Sequence, residues 1–257
     1  MLAIISDIHS NTEALTAVLK DIAARKVKQI ICLGDVVGYG PDPRTCVDLV
    51  ARHAAISLMG NHDYAVMFEP TQFNMSAESA SFWTRGDLES EEDDERRNAR
   101  WQFLGSLTVK HTVSGEPLGM GELMFVHGSP RRPINEYIFP DDVYNAPNKV
   151  QSSLERVGHL CFVGHTHVPG VFIDAPDFYS PDELEGVYEV NPERKAIVNV
   201  GSVGQPRDRD RRASYVVVEP GKVRFVRVAY PVEETAKKVK AVKELDSYLG
   251  QRLLEGR

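Results

Sequence analysis

The stretch MLAIISDIHSNTEALTAVLKDIAARKVKQIICLGD at residues 1–35 decides the fold. Leu2 to Ser6 is a short apolar run of strand type, after which Ala14, Leu15, Val18, Leu19 and Ile22 recur at the spacing of one helix face. Gln29 to Leu33 is a second apolar run. Strand, turn, amphipathic helix and strand make a βαβ opening, which places the two strands parallel with the helix across their sheet. Working outward, Thr45 to His53 reads as the next helix and Ala55 to Met59 as the third strand.

Further on, Leu123 to Val126 and Leu160 to Val163 are apolar strands, and after His167 the texture turns to β. Gly170 to Ile173, Gly186 to Val190, Ala196 to Val200, Ser214 to Val218 and Val223 to Val228 are short β-branched runs parted by Pro, Gly and Asp. The expectation is a second, mainly antiparallel sheet built from this half and packed on the first. The fold class is α/β: a layered α/β/β/α sandwich of two mixed β-sheets flanked by helices, one domain over 1–257. Residues 64–111 interrupt the alternation and read as a helical insertion beside the site, able to act as a lid. Its charge run Glu89 to Arg97 reads as a solvated helical face. Val239, Val242, Leu245 and Leu249 define a C-terminal amphipathic helix over about 232–254, packed on the core or on a second subunit of a homo-oligomer.

Composition removes several function classes. With 257 residues, 42% hydrophobic and 26% charged, the chain can bury a substantial core. Its net charge of -7 argues against coating nucleic acid but leaves room for a small charged substrate. No stretch approaches 18 consecutive apolar residues, and no basic region precedes LAIIS, so the expectation is a cytoplasmic protein with no membrane partner. Cys32, Cys46 and Cys161 show no CxxC spacing, which supports neither a disulfide framework nor a zinc knuckle; they read as core thiols.

The chemistry lies in five short blocks, each directly after an apolar run: Asp7-Ile8-His9, Gly34-Asp35, Gly60-Asn61-His62-Asp63, His127 and Gly164-His165-Thr166-His167. In α/β sheets ligands gather beyond the carboxyl ends of the strands, so the blocks converge on one rim. Carboxylates, an amide and imidazoles in this number read as a two-metal hydrolase site. Two cations about 3.5–4 Å apart neutralise a phosphoryl group and lower the pKa of an attacking water. Asp35, in the middle of the series, is the natural bridging carboxylate. Asp7, His9 and one late histidine would complete one site, and Asn61, His127 and the other late histidine the second. Mixed O and N ligation suits two divalent ions of the Mn²⁺ type, with Fe, Zn²⁺ or Ni²⁺ as the other candidates, better than Ca²⁺. Gly34, Gly38, Gly60 and Gly164 read as turn formers that present the neighbouring ligands.

The series DxH, GDxxG, GNHD, H and GHTH resembles the calcineurin-like metallophosphoesterase superfamily over residues 1 to about 210. GDVVGYGPDP at 34–43 and HGSP at 127–130 further resemble its small bacterial and archaeal YfcE-like phosphodiesterase branch. The resemblance implies that Asp7, His9, Asp35 and His167 hold one metal and that Asp35, Asn61, His127 and His165 hold the other. It implies that His62 protonates the leaving group while Asp63 orients its imidazole, and that Asn11 and Asn61 contact the phosphate.

Departures narrow the reading. The chain lacks the GDxVDRG and GNHE forms of protein Ser/Thr phosphatases, and the phosphate-clamping Arg of that branch is absent. NPGS of relatives is Asn199-Val200-Gly201-Ser202 here, a turn that shapes the rim. His53, His111 and His159 fall outside the motifs and read as surface or packing residues. Arg131, Arg132 and the segment Arg207 to Arg212 read as solvated salt-bridging charge. The expected function is metal-dependent hydrolysis of phosphodiester bonds in a small phosphate-ester substrate. The alternatives are a protein or dinucleoside-polyphosphate phosphatase and a non-catalytic metal-binding scaffold.

Overall fold

Burial along the first strand alternates between two cores. In the computed structural model, which describes residues 1–174 and 176–257, Leu2 and Ile4 face one cluster while Ala3 and Ile5 face another, the period of two that a pleated strand imposes. The elements follow as β1 (Leu2–Ile5), α1 (Thr12–Ala24), β2 (Gln29–Cys32), α2 (Pro43–His53), β3 (Ile56–Ser57), α3 (Asn61–Met67), α4 (Met75–Glu89), α5 (Asp94–Gly105), β4 (Lys110–Ser114) and β5 (Glu122–Val126). Next come α6 (Asp142–Asn145), α7 (Pro147–Leu154), β6 (Leu160–Val163), β7 (Gly170–Ile173), β8 (Asp177–Tyr179), β9 (Val187–Glu189), β10 (Ala196–Asn199), β11 (Ala213–Glu219), β12 (Lys222–Val228), α8 (Val232–Ala241) and α9 (Ser247–Glu255).

Two six-stranded mixed sheets result, ordered β3-β2-β1-β11-β12-β9 and β4-β5-β6-β10-β7-β8. Leu2, Ile4, Ile31 and Val216 of the first pack against Phe125, Leu160, Phe162 and Val198 of the second, and burying large side chains from both faces is what holds the layers together. On the outer face of the first sheet lie Leu15, Val18 and Ile22 of α1 and Val47 and Val50 of α2; Val150 and Leu154 of α7 cover the second. The three cysteines are buried in these layers, unbridged. This is the expected α/β/β/α sandwich.

Three boundaries differ from the sequence reading. The late strands do not all join the second sheet: β11 pairs antiparallel with β1, Ala3 opposite Val217, and brings β12 and β9 with it. A near-continuous apolar strand such as β11 can be buried in either sheet, so composition does not say which. Both sheets are mixed, as expected: in the second, β5, β6 and β10 run parallel while β4, β7 and β8 pair antiparallel. The insertion ends earlier than expected, because Lys110–Ser114 is the edge strand β4, and its charge run spans the end of α4, a short turn at 90–93 and the first residues of α5, which Asp93 caps through its side chain. Phe73, Leu88 and Leu104 tie these helices into the core. The C-terminal helix is broken into α8 and α9 at Val242–Asp246, where Asp246 caps α9 and accepts a hydrogen bond from Ser76 at 2.6 Å. The break lets Val239, Leu245 and Leu249 enter one cluster with Tyr39 and Ala80.

Candidate metal centre

Parallel pairing aligns the carboxyl ends of β1, β2 and β3 in one sheet and of β5 and β6 in the other, and one of the five blocks follows each. The two rims are joined where His127 Nδ1 meets Leu33 O at 3.2 Å and the amide of His165 donates to Asp7 Oδ2 at 3.0 Å. The loops are tight enough that Asp7, His9, Asp35, His165 and His167 all have φ between 49° and 65°, a left-handed conformation costly to any residue with a Cβ. Glycine makes the close approach possible: a Cβ on Gly60 would fall on Asp35 Oδ1, and one on Gly164 would fall on Asp7 Oδ2.

The structure brings all seven expected ligands together, buried. Asp7, His9 and His167 form one three-donor group, and Asp35, His127 and His165 form another, the donor atoms of each lying within 4.8 Å of one another. Asp35 Oδ2 lies between the groups, 3.6 Å from His9 Nε2 and 3.4 Å from His127 Nε2. Asn61 Oδ1 is 3.2 Å from His127 Nε2. The tautomers follow from backbone contacts. Nδ1 of His9 meets Val37 O at 3.3 Å, that of His127 meets Leu33 O, and that of His167 meets Gln205 O at 2.5 Å. Each Nδ1–H is thereby spent on a carbonyl, which turns the Nε2 lone pair inward.

That arrangement sets lone pair against lone pair. His9 Nε2 and His167 Nε2 are 3.2 Å apart, and His127 Nε2 is 3.1 Å from His165 Nδ1. Neutral acceptors facing each other beside two carboxylates repel unless a positive charge stands among them, so the donor set fits divalent cations. The electrostatics agree. Burial alone would raise Asp7 and Asp35, yet His167 at the first and His127 at the second hold both carboxyls below their ordinary range. Burial pushes His9 and His167 down, and His165 to about 3, the neutral form a ligand needs. His127 is the exception: burial opposes its protonation, but the adjacent Asp35 carboxylate holds it up to about 9, so its Nε2 carries a proton that a cation bound there would have to displace.

The other expected residues fall differently. His62 is at the cluster, its ring 4.9 Å from that of His9, 4.3 Å from Tyr39 and 4.6 Å from Phe73, with its amide on Asp35 Oδ1 at 2.8 Å. Its Nδ1 is buried without a hydrogen-bond partner among the described residues. Asp63 does not orient it, contrary to the implied role. Its Oδ1 accepts the amides of Val36 and Val37 at 2.9 and 3.2 Å and its Oδ2 that of Gly60 at 3.0 Å, so this carboxylate clamps the loop that carries Asp35. Asn11 is likewise no phosphate contact. Its Oδ1 caps α1 at Ala14 and accepts from Thr235, while its Nδ2 donates to Gly204 O at 2.8 Å and Tyr230 Oη at 3.3 Å, which uses the whole amide. His159 is structural, bridging Gly121 and Asn191.

Comparison with known proteins agrees with this geometry. The model of the calcineurin-like phosphoesterase superfamily domain matches residues 1–222. The chain belongs to that superfamily. An uncharacterized protein from Methanocaldococcus jannaschii is 38% identical to it over 267 residues, covering 100% of this chain and 98% of its own. The crystal structure of a metallophosphoesterase from Sphaerobacter thermophilus is also 38% identical, with a TM-score of 0.81 over 100% of this chain and 98% of that one. A hypothetical protein from Pyrococcus horikoshii shares the fold at 20% identity and a TM-score of 0.75, covering 100% and 99%. The E. coli phosphoesterase YfcE is a remoter neighbour at 17% identity and a TM-score of 0.42, covering 89% and 99%.

Several supporting residues lie outside the ligand blocks, and the Asn199 to Ser202 turn shapes the rim as expected. Asn199 donates to Gly164 O and Thr166 Oγ1, both at 2.8 Å, and Ser202 Oγ donates to Asp7 O at 2.8 Å, so the turn after β10 braces two ligand loops. Tyr137 stacks on His165 with ring centroids 3.7 Å apart. Tyr39 sits against His9 and His62, with the Arg207 guanidinium 6.0 Å from its ring. The glycines on either side of Tyr39 are the sequence feature that marks it.

Proposed function

We propose that this chain is a cytoplasmic metal-dependent phosphoesterase that hydrolyses phosphodiester bonds of a small substrate, with two divalent ions, Mn²⁺ foremost. The observation that supports it is the pair of three-donor groups with Asp35 between them, inward lone pairs opposed and every outer Nδ1–H of His9, His127 and His167 spent on a carbonyl. Asp7, His9, Asp35 and His167 would hold one ion, and Asp35, Asn61, His127 and His165 the other. Ions held there supply charge neutralisation at the phosphoryl oxygens and a water acidic enough to attack at neutral pH.

The chain's own residues then do three things. The Asp7 and Asp35 loops, locked by backbone amides, keep the donors in place so that little reorganises during the reaction. His62, at the lip of the donor set, hands a proton to the departing oxygen. Burial pushes its imidazole down to about 4, partly offset by Asp35, and an anionic substrate beside it favours the charged form. Preference for diesters rests on the likeness of the 34–43 and 127–130 stretches to the small phosphodiesterase branch.

The test compares metal-stripped and Mn²⁺-loaded protein on bis-(p-nitrophenyl) phosphate and p-nitrophenyl phosphate. Faster turnover of the diester, lost on stripping and restored by Mn²⁺, is the expected result. Metal binding without turnover of either ester would favour the scaffold reading.

A further inference from the structure

Arg207 and Arg252 differ from four nearby arginines that are held in ion pairs. Arg211 pairs with Glu233 at 2.9 Å, Arg212 with Asp210 at 2.6 Å, Arg227 with Asp208, and Arg257 with Glu255 at 3.0 Å. Arg207 instead donates to the neutral amide of Gln205 at 2.8 Å, and its Nε is buried without a partner among the described residues. Arg252 donates its Nε to Arg257 O at 2.6 Å and lies over the Tyr248 ring at 5.9 Å. Among the described residues neither guanidinium pairs with an Asp or Glu side chain.

Both flank Tyr39. Arg207 lies 6.0 Å from its ring, and Arg252 lines with Tyr39, Ser76 and Tyr248 a cavity of about 270 Å³. The same ring packs on His9 and His62, so the cavity adjoins the donor set. Among the described residues Arg207 has no carboxylate partner and Arg252 meets only the main-chain oxygen of Arg257, so bringing these two half-buried cations to one ring costs free energy that a bound anion would offset. Burial and the neighbouring Arg207 push Arg252 down to about 10, the sign of unrelieved crowding. Arg252 belongs to α9, beyond residue 222 where the match to the superfamily domain ends, so this feature is an addition of the C-terminal helices.

We propose that Arg207, Arg252 and Tyr39 form a second anion subsite, which selects phosphate esters carrying a further phosphate on the part that leaves. This rests on the metal centre binding the first phosphate, as proposed above. The subsite would read the second group through bidentate guanidinium contacts, while Tyr39 separates it from the reacting centre.

Titration calorimetry on Mn²⁺-loaded protein tests it, with adenosine 3′,5′-bisphosphate against adenosine 5′-monophosphate and 3′-monophosphate. The bisphosphate is expected to bind about tenfold tighter than either monophosphate. Arg252→Met and Arg207→Met should each cut that preference to about twofold. Arg25→Met, which removes a surface partner of Asp21, should keep it. Equal binding of the three nucleotides to the unaltered protein, or a preference surviving both Arg207→Met and Arg252→Met, would overturn the subsite. Binding of the bisphosphate that depends on both arginines but not on Mn²⁺ would uphold the subsite and count against the metal reading instead.

Discussion

At the scale of single residues, five of the seven donors sit in a left-handed backbone conformation. Each costs about 1–2 kcal/mol in an isolated chain, so the fold holds them where they would not rest by themselves. Asp35 matters most because it lies between both groups. Asp35→Asn is expected to lower metal affinity by about 10–100-fold or more and to remove activity with it, measured by metal content and ester turnover. His62→Ala should leave metal content intact and lower turnover by about 10²–10⁴-fold, most for esters with poor leaving groups. Asp63 gives the contrasting case. With three backbone amides on its carboxylate, Asp63→Ala should cost about 3 kcal/mol in thermal or urea unfolding. It should not steepen the dependence of rate on the leaving group. If Asp63→Ala reproduced the leaving-group effect of His62→Ala, Asp63 would act through the imidazole after all.

At the scale of elements, the helices of the insertion are fastened down. Arg100, buried at the start of the second half of α5, makes two 2.8 Å bonds to Asp48 of α2 and one of 2.7 Å to Glu91. Arg100→Met would leave Glu91 and Asp48 without that partner and should lower stability by about 1–3 kcal/mol, since Asp48 is half exposed and its charge well screened. Limited proteolysis within residues 89–100 should speed up in parallel; unchanged cleavage would mean that this ion pair does not hold the helices. Element existence was legible where apolar residues keep one period, as in α1 and β1. It was not legible for β4, where only His111 and Val113 are partly covered, nor for the break in the C-terminal helix, which has no Gly or Pro to mark it.

At the scale of the whole molecule, the seven donors could be named in the sequence because each stands immediately after an apolar strand, a local signal. Pairing of β1 with β11 joins residues more than two hundred positions apart, and nothing local distinguishes β11 from a strand of the other sheet. The same holds for Arg207 and Arg252, which only the fold brings to Tyr39. Long-range ties also set the acid limit of stability. Tyr215 donates to Asp21 at 2.6 Å and Arg25 meets the same oxygen at 2.6 Å; burial opposes them, but they keep the Asp21 carboxyl below its ordinary value. Its stabilisation is therefore present above the unfolded value near pH 4 and lost as pH falls through the lower folded value. Asp21→Asn should lower the Tm at pH 7, and the gap from the unaltered protein should shrink below about pH 4. A gap that widened on acidification would contradict this.

The most direct measurement counts metal ions per chain after stripping and Mn²⁺ loading, for the unaltered protein and for Asp35→Asn, with the rate on bis-(p-nitrophenyl) phosphate taken on the same samples. The account predicts two ions per unaltered chain, turnover that follows their removal and return, and loss of both metal and rate in Asp35→Asn. Two ions and a full rate in Asp35→Asn, or undiminished turnover in the stripped unaltered protein, would contradict it.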